Sequence, residues 1–506
     1  MKILFAASEA HPLIKTGGLA DVSGSLPNAL AALKHKLRLV LPAYGTIMDK
    51  LPPGASLKKV AEVSVQGCGR VHTAKILQLK AGAIRGIDVP VWLVDVPELF
   101  GRSGNPYLAA DGSDWWDNGE RFAVFSQVVT ELAMDRLGLK WQPDVVHAND
   151  WQTGLVPALL SLEKNRPLTV FTVHNMAYPG NFPQSLFEQL KLPWPLWDTE
   201  GVEFWGHFSM LKAGLIKADQ VTTVSPTYAK EICYPEFAYG FEGVLQKRQA
   251  EGRLLGIING IDEQVWNPAI DTLIVENYSV QKGRIAGKLA NKKSLLSDLC
   301  ALRGEAEKRA NHRMLDCMDR PLVGLVGRLV EQKGVDLVLQ ILPELIQQTN
   351  ANFVIVGTGD KKYEVQIQAL AQKYPSRVWA FIGYSESLAH RVEAGVDMFL
   401  MPSRFEPCGL NQMYSLAYGT PPIVHHTGGL ADTVVNATEE HVKQGQATGF
   451  VFYDPSRQAL KSTLLHALHL FTKKRTWQKI QKTGMEQDFG WEASAKQYVQ
   501  LYSENR

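Results

Sequence analysis

This sequence predicts an α/β protein built from two doubly wound domains, and three observations carry that expectation. Short apolar runs alternate with helix-like segments from one end of the chain to the other. The alternation restarts after the turn signal Asn259-Gly260. The length, 506 residues, is too great for a single hydrophobic core. Continuous apolar strands separated by helices indicate parallel sheets covered on both faces.

In the first half, strands are predicted at Lys2–Ala7, Leu37–Leu41, Val89–Val94, Asp144–His147, Leu168–Val173, Gln220–Val224 and Leu254–Ile258. Amphipathic segments lie between them, among them Asp21–Lys34, Asn118–Leu137 and Phe208–Lys217. In the second half the strands are Leu322–Val326, Asn352–Val356, Val378–Ile382, Met398–Met401, Pro422–Val424 and Phe450–Phe452. A helical tail, Trp491–Asn505, follows the last of them. The expected division is residues 1–258, residues 259–488 and a tail of 489–506. Open parallel sheets bind ligands beyond the carboxyl ends of their strands, so the informative residues should stand just after strands.

Composition narrows the function classes. Apolar residues make up 45% and charged residues 21%, which is enough apolar material for ordinary cores and excludes a disordered chain. Lys and Arg number 53 against 51 Asp and Glu, a balance that gives no reason to expect nucleic acid or membrane as a partner. The five cysteines include no CxxC pair, which argues against a disulfide scaffold or a structural zinc and for a reducing, cytoplasmic setting. The apolar run Ile3–Ala7 is too short for a signal peptide, and no later run approaches a membrane span.

Several constellations stand where chemistry is expected. Lys15-Thr16-Gly17-Gly18 lies between a strand and a helix, where glycines let a ligand approach and a helix N-terminus favours an anion. A plain turn with a solvated lysine fits those residues equally well. Their spacing is not that of a phosphate-binding GxxxxGK[ST] loop. Thr16 to Asp21 recurs letter for letter as Thr427 to Asp432, at a non-equivalent place, as one glycine-turn device used twice. Arg328 and Lys333 follow a strand and precede a helix, placed either to hold a diphosphate or as surface cations. Glu406, before Pro407 and Cys408, either caps a helix or holds sugar hydroxyls, and Cys408 reads as a packed residue rather than a nucleophile. His174-Asn175 and His147 to Trp151 close adjacent strands, a pairing that favours a sugar site over two structural histidines. Trp115, Trp116 and Trp151 could stack on sugars or simply pack. No D-x-D triplet occurs, which points away from a metal-clamped diphosphate, and no zinc-like Cys/His spacing is present. Gly357-Thr358-Gly359 only begins a dinucleotide fingerprint.

Taken together, these segments resemble the bacterial glycogen synthase and plant starch synthase family. The carriers run in family order: Ala6 to Glu9, Lys15 to Val22, Val145 to Trp151, Thr172 to Asn175, Asn259 to Asp262, Arg328 to Gly334, Pro402 to Leu410 and Thr427 to Val434. The resemblance implies the GT-B fold, two Rossmann-like domains across a deep cleft, with the final helix crossing back to the first domain and no metal. It implies retaining transfer of glucose from ADP-glucose to the non-reducing end of an α-1,4-glucan such as glycogen, without a cofactor. Carried over residue by residue, Lys15, Gly17, Gly18 and Asp21 would line the donor site, Arg328 and Lys333 bind the diphosphate, and Glu406 the glucose. His174 would lie near the anomeric carbon, Tyr107 near the base, and backbone N–H groups of Thr427, Gly428 and Gly429 near phosphates and sugar. The matching segments add Asp150 to the catalytic group and Asn175, Cys408, Gly409 and Leu410 to the substrate-binding one. Two positions depart from related patterns: Tyr414 stands where the wider superfamily often has a second glutamate, and Asn411 where many bacterial members carry Thr. ADP-glucose over UDP-glucose rests on the resemblance alone. The competing readings are a glucan phosphorylase with lysine-bound pyridoxal phosphate, another GT-B transferase forming sucrose or trehalose, a catalytically silent glucan-binding homologue, and a nicotinamide dehydrogenase.

Overall fold

A computed structural model describes residues 1–109, 111–280, 285–301 and 317–505. It divides into two compact units, Met1–Gly260 with Gly490–Arg506, and Ile261–Phe489.

The first unit contains β1 (Lys2–Ala6), β2 (Lys36–Pro42), β3 (Lys58–Gln66), β4 (Val71–Leu79), β5 (Val91–Asp95), β6 (Val145–Asn149), β7 (Leu168–Val173), β8 (Asn181–Pro183), β9 (Glu203–Phe204), β10 (His207–Ser209), β11 (Gln220–Thr223) and β12 (Leu254–Gly256). Nine of them form one sheet in the order β12-β11-β7-β6-β1-β2-β5-β4-β3, and β8-β10-β9 form a small separate sheet. The central strands are parallel, with Phe5 of β1 opposite Leu39 of β2 and His147 of β6. All five residues of β6 are buried, the polar His147 and Asn149 among them.

The edge is different. β3 and β4 pair antiparallel, and β4 pairs antiparallel with β5. In β4, exposed and buried residues alternate from Val71 to Ile76, so polar side chains interrupt the apolar pattern. That pattern is why these two strands are absent from the sequence-based expectation, which looked for continuous apolar runs. β8 to β10 were missed because two or three residues carry no periodicity.

The C-terminal helix Trp491–Glu504 belongs to the first unit, packed on the helix Gly18–Ala32. Ser494 Oγ donates to the Ile258 carbonyl at 2.6 Å, and Tyr502 Oη lies 2.7 Å from His147 Nδ1.

The second unit has a six-stranded sheet of β13 (Leu322–Val326), β14 (Asn352–Gly357), β15 (Val378–Ile382), β16 (Met398–Met401), β17 (Pro422–His425) and β18 (Phe450–Phe452). The order is β15-β14-β13-β16-β17-β18, parallel throughout. Successive residues of a strand serve opposite cores: Val323, Leu325, Phe353 and Ile355 join one cluster, and Leu322, Val354 and Val356 another. The helix Val335–Gln348 fills the first with Leu337, Val338, Ile341, Leu342 and Leu345 at helical spacing.

This order reverses direction between β13 and β16, and in the first unit between β1 and β6. Such switch points leave a crevice beyond the strand ends. The loops after β1, β6, β13 and β16 are those carrying Lys15, Asp150, Arg328 and Glu406. Among the described residues, no helix is long and apolar enough to cross a membrane.

Candidate active site

In the first unit, the loop after β1 is built around Glu9, only 3% exposed. Its carboxylate accepts the Thr16 N–H at 2.5 Å and the Thr16 hydroxyl at 2.9 Å. Tyr107 Oη donates to it at 3.1 Å and lies 2.7 Å from Ser8 Oγ. Burial pushes the Glu9 carboxyl above its usual range, against the pull of these bonds. Glu9 therefore fixes Thr16, and with it the entry into the helix Gly18–Ala32.

Gly17 is extended, with φ −153° and ψ −163°, and a Cβ on Gly17 or Gly18 would meet nothing within 4 Å. The fold does not need glycine at either position. What glycine leaves is open space over a helix N-terminus, whose outward N–H groups suit an anion. Lys15 stands at the same end, its Nζ 2.7 Å from Asp21 Oδ1 at the surface.

At the end of β6, Asp150 has φ 55° and ψ 178°, a conformation that strains any residue but glycine. The reward is its carboxylate: Oδ1 accepts the His174 N–H at 2.7 Å and holds the start of the loop after β7. Burial, partly offset by bonds from the His174 and Asn175 N–H groups and reinforced by the Glu9 charge, raises this carboxyl to about 7. His174 is buried, and burial lowers its imidazole to about 3, so it is neutral. Its tautomer follows from its partner. Asn149 Nδ2 donates to the Ala6 carbonyl at 3.1 Å, which leaves Asn149 Oδ1 to accept from His174 Nε2–H at 3.0 Å. Asn175 turns inward on its own loop, accepting the Ala177 N–H at 3.0 Å.

One expectation for this unit is corrected, and for Trp151 and Trp115 the packing alternative holds. His147 does not share a ligand face with His174: it is fully buried between Thr172 Oγ1 at 2.6 Å and Tyr502 Oη at 2.7 Å, and it anchors the C-terminal helix. Trp151 packs against Phe122 and Phe182, with centroids 5.1 and 5.7 Å away, and Trp115 lies under the Arg102 guanidinium at 5.0 Å. Tyr107 keeps its hydroxyl for Ser8 and Glu9, so any contact with a base falls to its ring.

In the second unit, the loops after β13 and β16 lock together. Arg404 N–H donates to the Gln332 carbonyl at 2.8 Å, and Gln332 Nε2 to the Phe405 carbonyl at 3.3 Å. This brings Lys333 Nζ to 2.5 Å from Glu406 Oε2, which also accepts the Ser403 hydroxyl at 2.9 Å. Glu406 is 7% exposed, and both of these bonds fall on Oε2. A crevice over these groups is lined by Gly327, Arg328, Lys333, Ser403, Glu406 and Leu410. Arg328 is exposed, its guanidinium touching only Gln332 Oε1 at 3.2 Å among the bonds of this loop. One planar cation, one compact cation and an open carboxylate oxygen can together bind a diphosphate and a polyol.

The second Thr-Gly-Gly copy behaves unlike the first. Gly428 has φ +43°, and a Cβ there would sit 2.0 Å from the Glu406 carbonyl oxygen. A Cβ on Gly429 would sit 2.0 Å from the Cys408 carbonyl oxygen. These glycines are required by packing under the Glu406 loop. The expectation that the Thr427 to Gly429 N–H groups all face a ligand is corrected as well: Thr427 N–H donates to His425 O at 3.0 Å, and Gly429 N–H to Glu406 O and Pro407 O at 3.2 Å.

Cys408 is buried, 5% exposed, and Gly409 turns the chain at φ +74°. Asn411 ties its helix to the end of β13 through Nδ2 and the Val326 carbonyl at 2.8 Å. Tyr414 stacks on Trp266 at 3.8 Å. Sequence reasoning assigned no role to Glu9, Asn149, Gln332 or Ser403; the first three have partners far along the chain or in the backbone, and Ser403 bonds Glu406 three residues on. Among the described residues, no group of three or more His, Cys, Asp and Glu side chains is placed to hold a metal ion.

Comparison with known proteins places the chain among relatives of known family. Residues 2–247 match the starch synthase catalytic domain, and residues 308–483 match the glycosyl transferases group 1 family. The glycogen synthase of Hydrogenovibrio crunogenus is 65% identical over 99% of both chains, and that of Thioalkalivibrio sulfidiphilus 48% identical over 100% of this chain and 99% of its own. The catalytic domain of starch synthase IV from Arabidopsis thaliana, solved with ADP and acarbose, superposes with a TM-score of 0.84 at 29% identity, covering 99% of both chains. With two Rossmann-like units in the GT-B fold and this similarity along its whole length, the chain belongs to the glycogen synthase and starch synthase family of glycosyltransferases.

Proposed function

We propose that the chain transfers glucose from ADP-glucose to the non-reducing end of an α-1,4-glucan, with retention of configuration and without a resident cofactor. The carrying observation is the Lys333–Glu406–Ser403 arrangement at the switch point of the second unit, with Arg328 beside it. Lys333 and Arg328 supply fixed positive charge for a leaving diphosphate, whose charge grows as the bond to the sugar breaks. Glu406, held on one oxygen, offers the other to glucose hydroxyls. ADP in the starch synthase IV structure supports an adenine nucleotide, and the names of the curated relatives support a glucan acceptor.

In this reading the bond between glucose C1 and the phosphate oxygen breaks, its electrons going to the diphosphate. The acceptor 4-hydroxyl oxygen bonds to C1 from the same face and passes its proton to the departing phosphate oxygen. Lys15, Gly17, Gly18 and Asp21 belong to the donor site, and the open space over Gly17 and Gly18 supports their place there. Asp150 acts as a positioning residue through the His174 N–H, and His174 presents a neutral imidazole and its backbone near the sugar.

The test is transfer of radiolabelled glucose to glycogen, with ADP-glucose and UDP-glucose run side by side. Incorporation mainly from ADP-glucose is expected. Incorporation mainly from UDP-glucose would overturn the donor, and none from either would overturn the reaction.

A further inference from the structure

Beyond His174, the chain of the first unit makes an excursion before it re-enters the core at the helix Met210–Lys217. It passes Tyr178, forms β8, turns through β9 and β10, and closes at its base where Met210 and Leu211 N–H groups donate to the Gly180 and Pro179 carbonyls at 3.1 and 3.2 Å. The β9–β10 connection is the two-residue turn Trp205-Gly206, with φ 51° and 78°. Such a turn favours asparagine or glycine at its first position. Tryptophan there is strained by about 1–2 kcal/mol, and its indole is 81% exposed.

The indole's own packing is slight, an edge-on contact with the Phe204 ring at 6.4 Å, yet the hairpin is braced from below. Glu203 Oε1 accepts the Gly206 N–H at 2.6 Å. The buried Lys212 gives its ammonium to the Thr199 carbonyl at 2.7 Å and to the Glu203 carbonyl. Phe204 stacks on Phe241 with centroids 4.1 Å apart and planes within 6°. A bulky ring is thus held rigidly in water.

Two further exposed aromatics connect it to the candidate site. Tyr239 is 48% exposed and also left-handed, with φ 52°. Its neighbour Gly240 lies against the hairpin, since a Cβ there would come within 3.3 Å of the Phe204 ring and 4.0 Å of Trp205 Nε1. Tyr178, 54% exposed, follows His174 by four residues. Burial first, and then the Tyr178 phenol close by, hold Tyr239 above the ordinary tyrosine range. Tyr178 therefore lies near Tyr239, and Tyr239 is joined through Gly240 to the Trp205 hairpin.

We propose that Trp205, with Tyr239 and Tyr178, forms an aromatic platform that holds an α-glucan chain extending away from its reacting end. The inference rests on the reading above that the acceptor is such a glucan. The chemistry around the rings favours a sugar. Glucose units present an apolar C–H face to an aromatic ring and hydroxyls at the rim, and the rim here is polar and balanced, with exposed His207 and the Glu200–Lys247 pair at 2.5 Å. Separate rings on polar ground do not make the contiguous apolar centre that a stable protein interface uses. Mixed charge gives no footprint for nucleic acid.

The experiment uses the full chain in native gels containing glycogen, without donor, alongside transfer kinetics. Trp205→Ala should weaken retention by glycogen and raise KM for glycogen by about three- to tenfold, the worth of one aromatic contact. KM for ADP-glucose should stay unchanged, and Trp205→Tyr should restore most of the retention. Because the indole is exposed, its loss leaves the core intact, which the unfolding midpoint checks. Trp205→Ala retained as strongly as the parent chain, with unchanged KM for glycogen, overturns the platform. A parent chain that transfers glucose but is not retained by glycogen overturns the platform and leaves the transferase reading standing. One that shows Trp205-dependent retention without transfer supports the platform and overturns the transferase reading.

Discussion

Alanine substitution in the two copies of Thr-Gly-Gly-Leu-Ala-Asp should separate activity from stability. At Gly17 the backbone is extended and the added Cβ meets nothing within 4 Å. Gly17→Ala should therefore change stability by no more than about 0.5 kcal/mol. Gly18 opens a helix, where alanine is the better former, so Gly18→Ala is neutral or stabilising by up to about 1 kcal/mol. At Gly428 the left-handed φ of +43° costs a side chain about 1–2 kcal/mol. The clash with the Glu406 carbonyl oxygen at 2.0 Å must then be relieved by moving the Glu406 loop. A total loss of at least about 3 kcal/mol is expected, and it lowers the unfolding midpoint by about 6–12 °C in a unit of this size. Activity should run the other way for the first copy. If a ligand uses the space over Gly17 and Gly18, a methyl group there displaces it, and turnover falls by about 100-fold at an unchanged midpoint. Calorimetry and glucose transfer on the same preparations decide the matter. Gly17→Ala and Gly18→Ala enzymes with full activity would refute the ligand approach, and a Gly428→Ala protein as stable as its parent would refute the packing assignment.

Other expectations follow from single contacts. Lys333→Ala and Glu406→Ala should each lower turnover by about 100-fold or more while circular dichroism stays unchanged, and near-normal turnover in both would remove these residues from the chemistry. Asp150 titrates at about 7 in the folded state against about 3.9 when unfolded. The folded chain therefore holds a proton that the unfolded chain has released, and stability contributed by this group falls as pH rises from about 4 to about 7. Asp150→Asn cannot titrate, so its midpoint should gain on the parent between pH 5 and 8. The gain is bounded by about 4 kcal/mol and is smaller because the residue is partly exposed; a difference constant over that range contradicts the assignment. Tyr502→Phe leaves His147 Nδ1 without its partner and should cost about 1–3 kcal/mol, with kcat and KM unaltered. Altered kinetics at an unaltered midpoint would show that the C-terminal helix does more than anchor.

The sequence was most legible where structure is local. The parallel core strands were recognised because β1, β7, β13, β14 and β16 to β18 are largely buried and read as apolar runs. Their following loops could be identified as site-bearing because a switch point needs only strand order and a strand-to-helix junction. The edge hairpin β3–β4 was invisible because its solvent face breaks the apolar run. Partners far apart in sequence were equally invisible: Glu9 with Tyr107, Lys333 with Glu406, and His147 with Tyr502 are joined by topology. The paired hexapeptide gives the sharpest case. Its letters are identical at both places, yet one copy is packed against a carbonyl and the other faces open space, a difference that depends on what surrounds each copy.

The neutral state of His174 bears on where an acceptor proton can go. Burial lowers the imidazole to about 3, and its Nε2–H is given to Asn149 Oδ1, whose amide is itself fixed by the Ala6 carbonyl. A base that weak takes no useful share of protons at neutral pH. Asp150 spends its Oδ1 on the His174 N–H. Glu406 Oε2 already accepts from the Lys333 ammonium at 2.5 Å and from the Ser403 hydroxyl at 2.9 Å. In the proposed reaction the acceptor is the departing phosphate oxygen, whose basicity rises as its bond to C1 lengthens. Transfer on one face with the leaving group as base, the route proposed above, asks of the protein fixed charge for the diphosphate and a seat for the sugar, and it asks for no basic imidazole at His174.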